Sequence, residues 1–153
     1  VLEYMDCADL SHILSHHQIR LSIAQCKYIM QQILQGLASM HSCKLMHRDI
    51  KVPNILLNKH GQVKLGDLGC TTSFQNRSIF SNTVCTLWYR APELLMGTRT
   101  YDDKVDIWSA AYACVHLQPS VYNTLSVILC CCLLLQLCVY GANYETQFYS
   151  RGE

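Results

Sequence analysis

An α+β fold is what this 153-residue sequence predicts. Two observations carry it: a long stretch with the apolar spacing of one helix face, and after it two short apolar runs joined by a polar turn with glycine. A third observation bears on function. Between those elements the segment LMHRDIKVPNILLN sets an Arg, an Asp, a Lys and an Asn beside apolar runs. Charged groups so near a core need a partner, a metal or a reaction to offset their desolvation.

The helix is SIAQCKYIMQQILQGLASMH. Ile23, Cys26, Ile29 or Met30, Ile33, Leu34, Leu37 and Met40 recur at helical spacing and mark the face to be buried. Ser22 followed by Gln25 predicts a capping box, with hydroxyl and amide satisfying free backbone N–H groups. Gly36 lowers the intrinsic propensity, and the periodicity outweighs it.

The hairpin is NILLNKHGQVKLGD: Ile55 to Leu57, a polar turn with Gly61, then Val63 to Leu65. Going out along one strand and back along the next returns Asp67 to the end from which Asn54 departs. Asp49 and Lys51 lie on the loop just before. The spacing therefore predicts a polar cluster at one mouth of the hairpin. A hard cation such as Mg²⁺ is held by few carboxylates together with phosphate and water, which this cluster supplies.

Composition narrows the field. The formal net charge is +1 and there is no basic cluster, which argues against nucleic acid as a partner. The opening VLEYMDCADL lacks the basic start and apolar core of a secretory signal. None of the ten cysteines forms a C-x-x-C pair. Cys7, Cys26, Cys43, Cys70 and Cys85 are scattered as buried thiols usually are, so a reduced intracellular setting, cytoplasmic or nuclear, is expected. Lys, Arg, Asp and Glu are absent from Ile107 to Tyr144, a composition shift that marks the one boundary in the chain.

HRDIKVPN (47–54), DLG (67–69), APE (91–93) and DIWS (106–109) stand in the order and spacing of protein-kinase motifs. The chain from 1 to about 109 resembles that family, and TLWYRAPELLMG resembles its cyclin-dependent-kinase-like Ser/Thr branch. The resemblance implies a protein-kinase-like fold, mainly the helical large lobe and incomplete, over residues 1–111, with 112–153 an unassigned apolar, cysteine-rich tail. It implies transfer of the ATP γ-phosphate to protein Ser or Thr, with ATP and Mg²⁺ as cofactors. By that resemblance Asp49 orients the substrate hydroxyl and accepts its proton, and Lys51 offsets charge on the transferring phosphoryl group. Asn54 and Asp67 hold Mg²⁺, Met5 presents its backbone to adenine, and Leu56 floors the ring. Thr86 seats Asp49 and Lys51. A phosphate on Ser81 pairs with Arg48, although Thr72 stands where the family has a second phosphate-binding Arg. Leu68 replaces the usual Phe and is expected to pack beneath the metal site. Trp88 and Tyr89 are expected in the core, and Glu93 to pair with a distant Arg for which only Arg151 is a candidate.

No Gly-rich loop, small-lobe Lys or partner Glu can be placed in these residues, so the chain alone is expected to be inactive. Ala111 replaces a usual Gly, and Tyr112 onward matches no kinase segment. The uncharged run 125–142 has about the length of a bilayer span, without nearby Lys or Arg to orient it. An aberrant terminus is the favoured reading of the tail, ahead of a membrane segment, a buried helix or a disordered remnant. Two other readings of the whole remain: a non-catalytic binding module that keeps the activation-segment surface, and a fragment tethered to membrane through 125–142. A cyclin is a further partner implied for a longer parent protein.

Overall fold

The computed structural model describes residues 3–16, 20–76 and 79–117. The chain runs through a short helix α1 (Leu10–His16), the long helix α2 (Ile23–Ser42), strand β1 (Leu45–Met46), strand β2 (Ile55–Leu57), strand β3 (Val63–Leu65), strand β4 (Thr72–Ser73), one helical turn α3 (Pro92–Leu95) and helix α4 (Lys104–Leu117). This is the helix-rich α+β arrangement expected.

The spine of the fold is α2. Its N-terminus is closed by the capping box the sequence predicts: Gln25 N–H donates to Ser22 Oγ at 3.3 Å, and Ser22 N–H donates to Gln25 Oε1 at 2.8 Å. Cys26, Ile29, Met30, Ile33, Leu34 and Leu37 are buried, one continuous face against α4 and the β2–β3 hairpin. Ile23, expected on that face, is 61% exposed, because it opens the helix ahead of the first packed turn.

Strands β2 and β3 pair antiparallel, Ile55 opposite Leu65 and Leu57 opposite Val63, as the spacing predicts. The turn between them uses Gly61 at φ +77°, a conformation that favours glycine. Helix α2 clasps this turn through Gln32, whose Nε2 donates to the Gly61 carbonyl at 3.1 Å and whose Oε1 accepts from Val63 N–H at 3.0 Å. A second small ladder pairs β1 with β4. It brings the segment after Asp67 alongside the segment before His47.

Several elements escape sequence reading, among them strands β1 and β4 and two helices. Helix α1, whose His12 N–H is capped by Asp9 Oδ1 at 2.9 Å, has only 7 residues, too few for periodicity to register. Helix α4 runs Lys104–Leu117, so both the composition shift at Ile107 and the 111–112 boundary drawn where the resemblance stops fall inside it. The 125–142 run and Arg151 lie outside the described residues. Among the described residues, no helix is long and apolar enough to cross a membrane.

Candidate active site

The loop after β1 is positioned by one buried carboxylate. Asp106, in the first turn of α4 and fully buried, accepts from His47 N–H at 2.8 Å and from Arg48 N–H at 2.7 Å. His41 Nε2, near the end of α2, lies 2.9 Å from the same carboxylate. Three polar groups from two elements thus converge on Asp106, which offsets its removal from water. They also hold Arg48 in a left-handed backbone conformation, φ 66°, that a side chain resists.

His47 extends the scaffold. Its Nδ1 accepts from Asp49 N–H at 3.3 Å, so the proton resides on Nε2, which donates to the Gly66 carbonyl at 3.0 Å. Gly66 N–H in turn donates to the Asn54 carbonyl at 2.8 Å. A Cβ on Gly66 would meet Leu56 Cδ1 at 2.9 Å, so any larger residue there would force the Leu56 side chain to shift. These bonds bring Asn54 and Asp67, separated by the whole hairpin, to the same mouth.

At that mouth the polar groups interlock. Lys51 Nζ donates to Asp49 Oδ2 at 2.7 Å and to Thr86 Oγ1 at 3.2 Å. Thr86 donates twice to Asp49 Oδ1, through its hydroxyl at 3.0 Å and its N–H at 3.2 Å. Asn54 Nδ2 donates to the Asp49 carbonyl at 2.8 Å and to Asp49 Oδ2 at 3.2 Å. Burial alone would raise the Asp49 pKa. The Lys51 ammonium and the Thr86 donors outweigh it and hold the carboxyl below its ordinary 3.8. The bond to Asp49 raises Lys51 above its ordinary 10.5 against the opposing effect of burial, with the Asp67 charge adding in the same direction. Asp49 and Lys51 are therefore both ionised at neutral pH.

Asp67 differs from Asp49 in being exposed. It sits at φ 55°, ψ 72°, and one carboxylate oxygen accepts from Gly69 N–H at 3.3 Å. The Asn54 amide turns its nitrogen to Asp49, which directs its oxygen the other way. An exposed carboxylate and an amide oxygen at one mouth, beside an ammonium, are hard donors of the type that suits Mg²⁺ shared with phosphate oxygens.

The remaining predicted residues fall as follows. Met5 is half-buried, in the segment whose Cys7 and Ala8 backbone groups bond Leu57, alongside β2 and Leu56. Ser81 is exposed, and its hydroxyl bonds Thr83 Oγ1 at 2.9 Å. Arg48 reaches it through an intermediary: Nη1 donates to the Tyr101 hydroxyl at 3.2 Å, and that hydroxyl donates to the Ser81 carbonyl. Glu93 is half-buried in α3 and lines an open groove with Thr100, Tyr101 and Asp102.

Three expectations are corrected. Trp88 is 71% exposed, while Tyr89 beside it is buried, since the single helical turn Leu87–Tyr89 offers the core one face only. Leu68 is 52% exposed, so about half of it is left open rather than buried beneath the metal site. Cys43 is exposed, at the C-terminal end of α2.

Sequence reasoning missed His41, His47 and Asp106 as the scaffold of the loop, and Tyr101 as its link to Ser81. One signal was available for Asp106: it is the last acid before a long uncharged run.

Comparison with known proteins identifies the family. The family model for the protein kinase domain matches residues 1–123. A protein of Dictyostelium discoideum named as a probable cyclin-dependent serine/threonine-protein kinase is 48% identical over 112 residues, covering 73% of this chain and 17% of its own length. The CTD kinase subunit alpha of Saccharomyces cerevisiae is 40% identical over 117 residues, covering 76% of this chain and 22% of its own. Cyclin-dependent kinase 20 of Danio rerio is 42% identical over 111 residues, covering 71% and 32%. The chain thus spans about a third or less of these relatives. Among solved structures, the crystal structure of the yeast RNA Pol II CTD kinase complex matches with a TM-score of 0.71 at 41% identity, over 75% of this chain and 38% of that one. The motifs, the fold and these matches lead to one assignment: the chain belongs to the protein kinase domain family, in its cyclin-dependent-kinase-like serine/threonine branch.

Proposed function

We propose that the cluster at the hairpin mouth is the phosphoryl-transfer site of a serine/threonine protein kinase, and that these residues do their work as part of a longer protein. The observation that carries the reading is the set of bonds on Asp49. One buried carboxylate is held by Lys51, Thr86 and Asn54 together, each aligning it from a different part of the chain.

In this reading Asp49 takes a hydrogen bond from the acceptor Ser or Thr hydroxyl, turns the oxygen toward the phosphate and receives its proton as the new bond forms. Its depressed pKa makes it a weak base, so orientation is its main contribution. Lys51 stays protonated and stands beside the transferring group, where it offsets developing negative charge. Asn54 and Asp67 would hold Mg²⁺, and Met5 and Leu56 would hold adenine. MgATP, when bound, supplies the phosphoryl group and a cation that neutralises its oxygens. Thr86 keeps Asp49 and Lys51 in register. A protein substrate and a cyclin are the partners proposed for the longer protein, in cytoplasm or nucleus.

The 153-residue chain by itself is proposed to be inactive, since it carries no motif for covering the ATP phosphates from the small-lobe side. The test is a chimera in which residues 1–117 replace the matching segment of the Dictyostelium relative. It should transfer γ-phosphate to a Ser/Thr peptide, and Asp49→Asn should lower kcat by at least about a hundredfold. Activity that survives Asp49→Asn intact would overturn the reading.

A further inference from the structure

We propose that Tyr101 is a positioning residue whose hydroxyl ties the segment carrying Ser81 and Thr86 to the catalytic loop through a hydrogen-bond bridge that requires no phosphate. The inference rests on the reading of that segment as an activation segment and adds how it is held.

The bridge is built from both ends. Arg48 belongs to the loop that carries Asp49, and its guanidinium is already aimed: Nε donates to the Cys70 carbonyl at 2.7 Å while the Arg48 backbone is pinned on Asp106. Its Nη1 then donates to the Tyr101 hydroxyl at 3.2 Å, and the hydroxyl in turn donates a hydrogen bond to the Ser81 carbonyl. A phenol has one proton and accepts through its oxygen, so a single group serves both sides. The ring is fixed as well. It lies tilted against Phe80 with centroids 5.1 Å apart and packs on the Ala91, Leu94 and Val105 cluster.

Backbone contacts run parallel to the bridge. Phe80 N–H donates to the Arg99 carbonyl at 2.8 Å, and Arg99 Nε donates to the Phe80 carbonyl at 3.3 Å. Residues 80 and 81 are thus clamped to 99 and 101, and five residues later Thr86 arrives on Asp49 and Lys51. Meanwhile the Ser81 hydroxyl is engaged locally, accepting from Thr83 N–H at 3.3 Å. Thr72, which offers no cation to a phosphate, stands on β4. A bridge made by a hydroxyl in place of a phosphate fits this set of residues.

Phenylalanine would keep the ring packing and lose only the bridge, which makes the test specific. In the full 153-residue chain, Tyr101→Phe should leave the amides of His47 and Arg48 protected from hydrogen exchange. The amides of Phe80 and Thr86 should exchange on the order of tenfold faster. In a double-mutant cycle with Arg48→Lys, Tyr101→Phe should cost less in the Arg48→Lys background than in the natural chain, because the Arg48–Tyr101 bond is already gone there, while the Arg48 bond to Cys70 is lost in both Arg48→Lys variants and cancels. Unchanged exchange at Thr86, additive effects in the cycle, or an equal loss of protection along α2 would each overturn the proposal. The measurement uses no nucleotide, so a chimera without kinase activity would defeat the functional reading while leaving this result to stand or fall separately.

Discussion

Two aspartates, Asp106 and Asp67, divide the work of this fold. Asp106 is fully buried and takes two backbone N–H groups plus an imidazole. Asp67 is exposed, in a left-handed backbone conformation, with one weak bond to Gly69 N–H. The same side chain is a structural anchor when its lone pairs are filled from within, and a candidate ligand when they are left to solvent. Asp49 lies between these extremes: it is buried and well bonded, yet its partners are mostly side chains at the site mouth. The contrast teaches that the chemistry of a carboxylate follows from who occupies its acceptor sites.

The largest expected effect tests the anchor. Asp106→Ala leaves two buried N–H groups and His41 without their acceptor, at roughly 3–5 kcal/mol. That is a large share of any single domain's stability, so urea denaturation should show a chain near unfolding. A cost under about 1 kcal/mol would break the comparison.

Next comes the core that carries both regions. Leu37→Ala, at a fully buried site on α2, should cost roughly 2–5 kcal/mol by the same measurement. Thr86→Val removes the hydroxyl between Asp49 and Lys51 and should cost roughly 1–2 kcal/mol, with Thr86→Ser restoring most of it.

Titration of the mouth gives a pH signature. The folded-state pKa of Asp49 is depressed below 3.8, so its contribution to stability is full above that value and fades as pH falls through the lower folded value. Lys51 is raised above 10.5, so its contribution is full below that value and fades as pH rises through the higher one. The stability gap between the natural chain and Asp49→Asn should therefore hold through neutral pH and narrow below about pH 4. A gap independent of pH down to 2 would remove the ion pair from the account.

The smallest expected effect is the sharpest. Asp67→Asn should change stability by less than about 0.5 kcal/mol, since an exposed carboxylate with one backbone bond has little to lose. In the chimera the same substitution should remove phosphate transfer. A stability loss comparable to that of Asp106→Ala would erase the distinction between the two residues.

Legibility in the sequence followed element length and register. The long helix α2 and its capping box could be read because many apolar positions repeat on one face and the cap is local. The hairpin could be read because Gly61 marks its turn, and its return path already placed Asp67 near Asn54. Trp88 and Leu68 could not be assigned, because exposure in a three-residue turn depends on what packs against it. The scaffold of His41, His47 and Asp106 could not be read either, since its members are joined across 59 and 65 positions.

Sequence alone determined the chemical inventory and part of the local geometry: which acids, amides and ammonium groups exist, and that α2 with its cap and the β2–β3 hairpin form. Those depend on neighbours a few residues apart. Only the tertiary structure decided which carboxylate is buried and saturated, which is exposed, and that Tyr101 bridges Arg48 to Ser81. These outcomes depend on desolvation and on donors from distant segments, and such encounters are made by packing, beyond the reach of any local pattern.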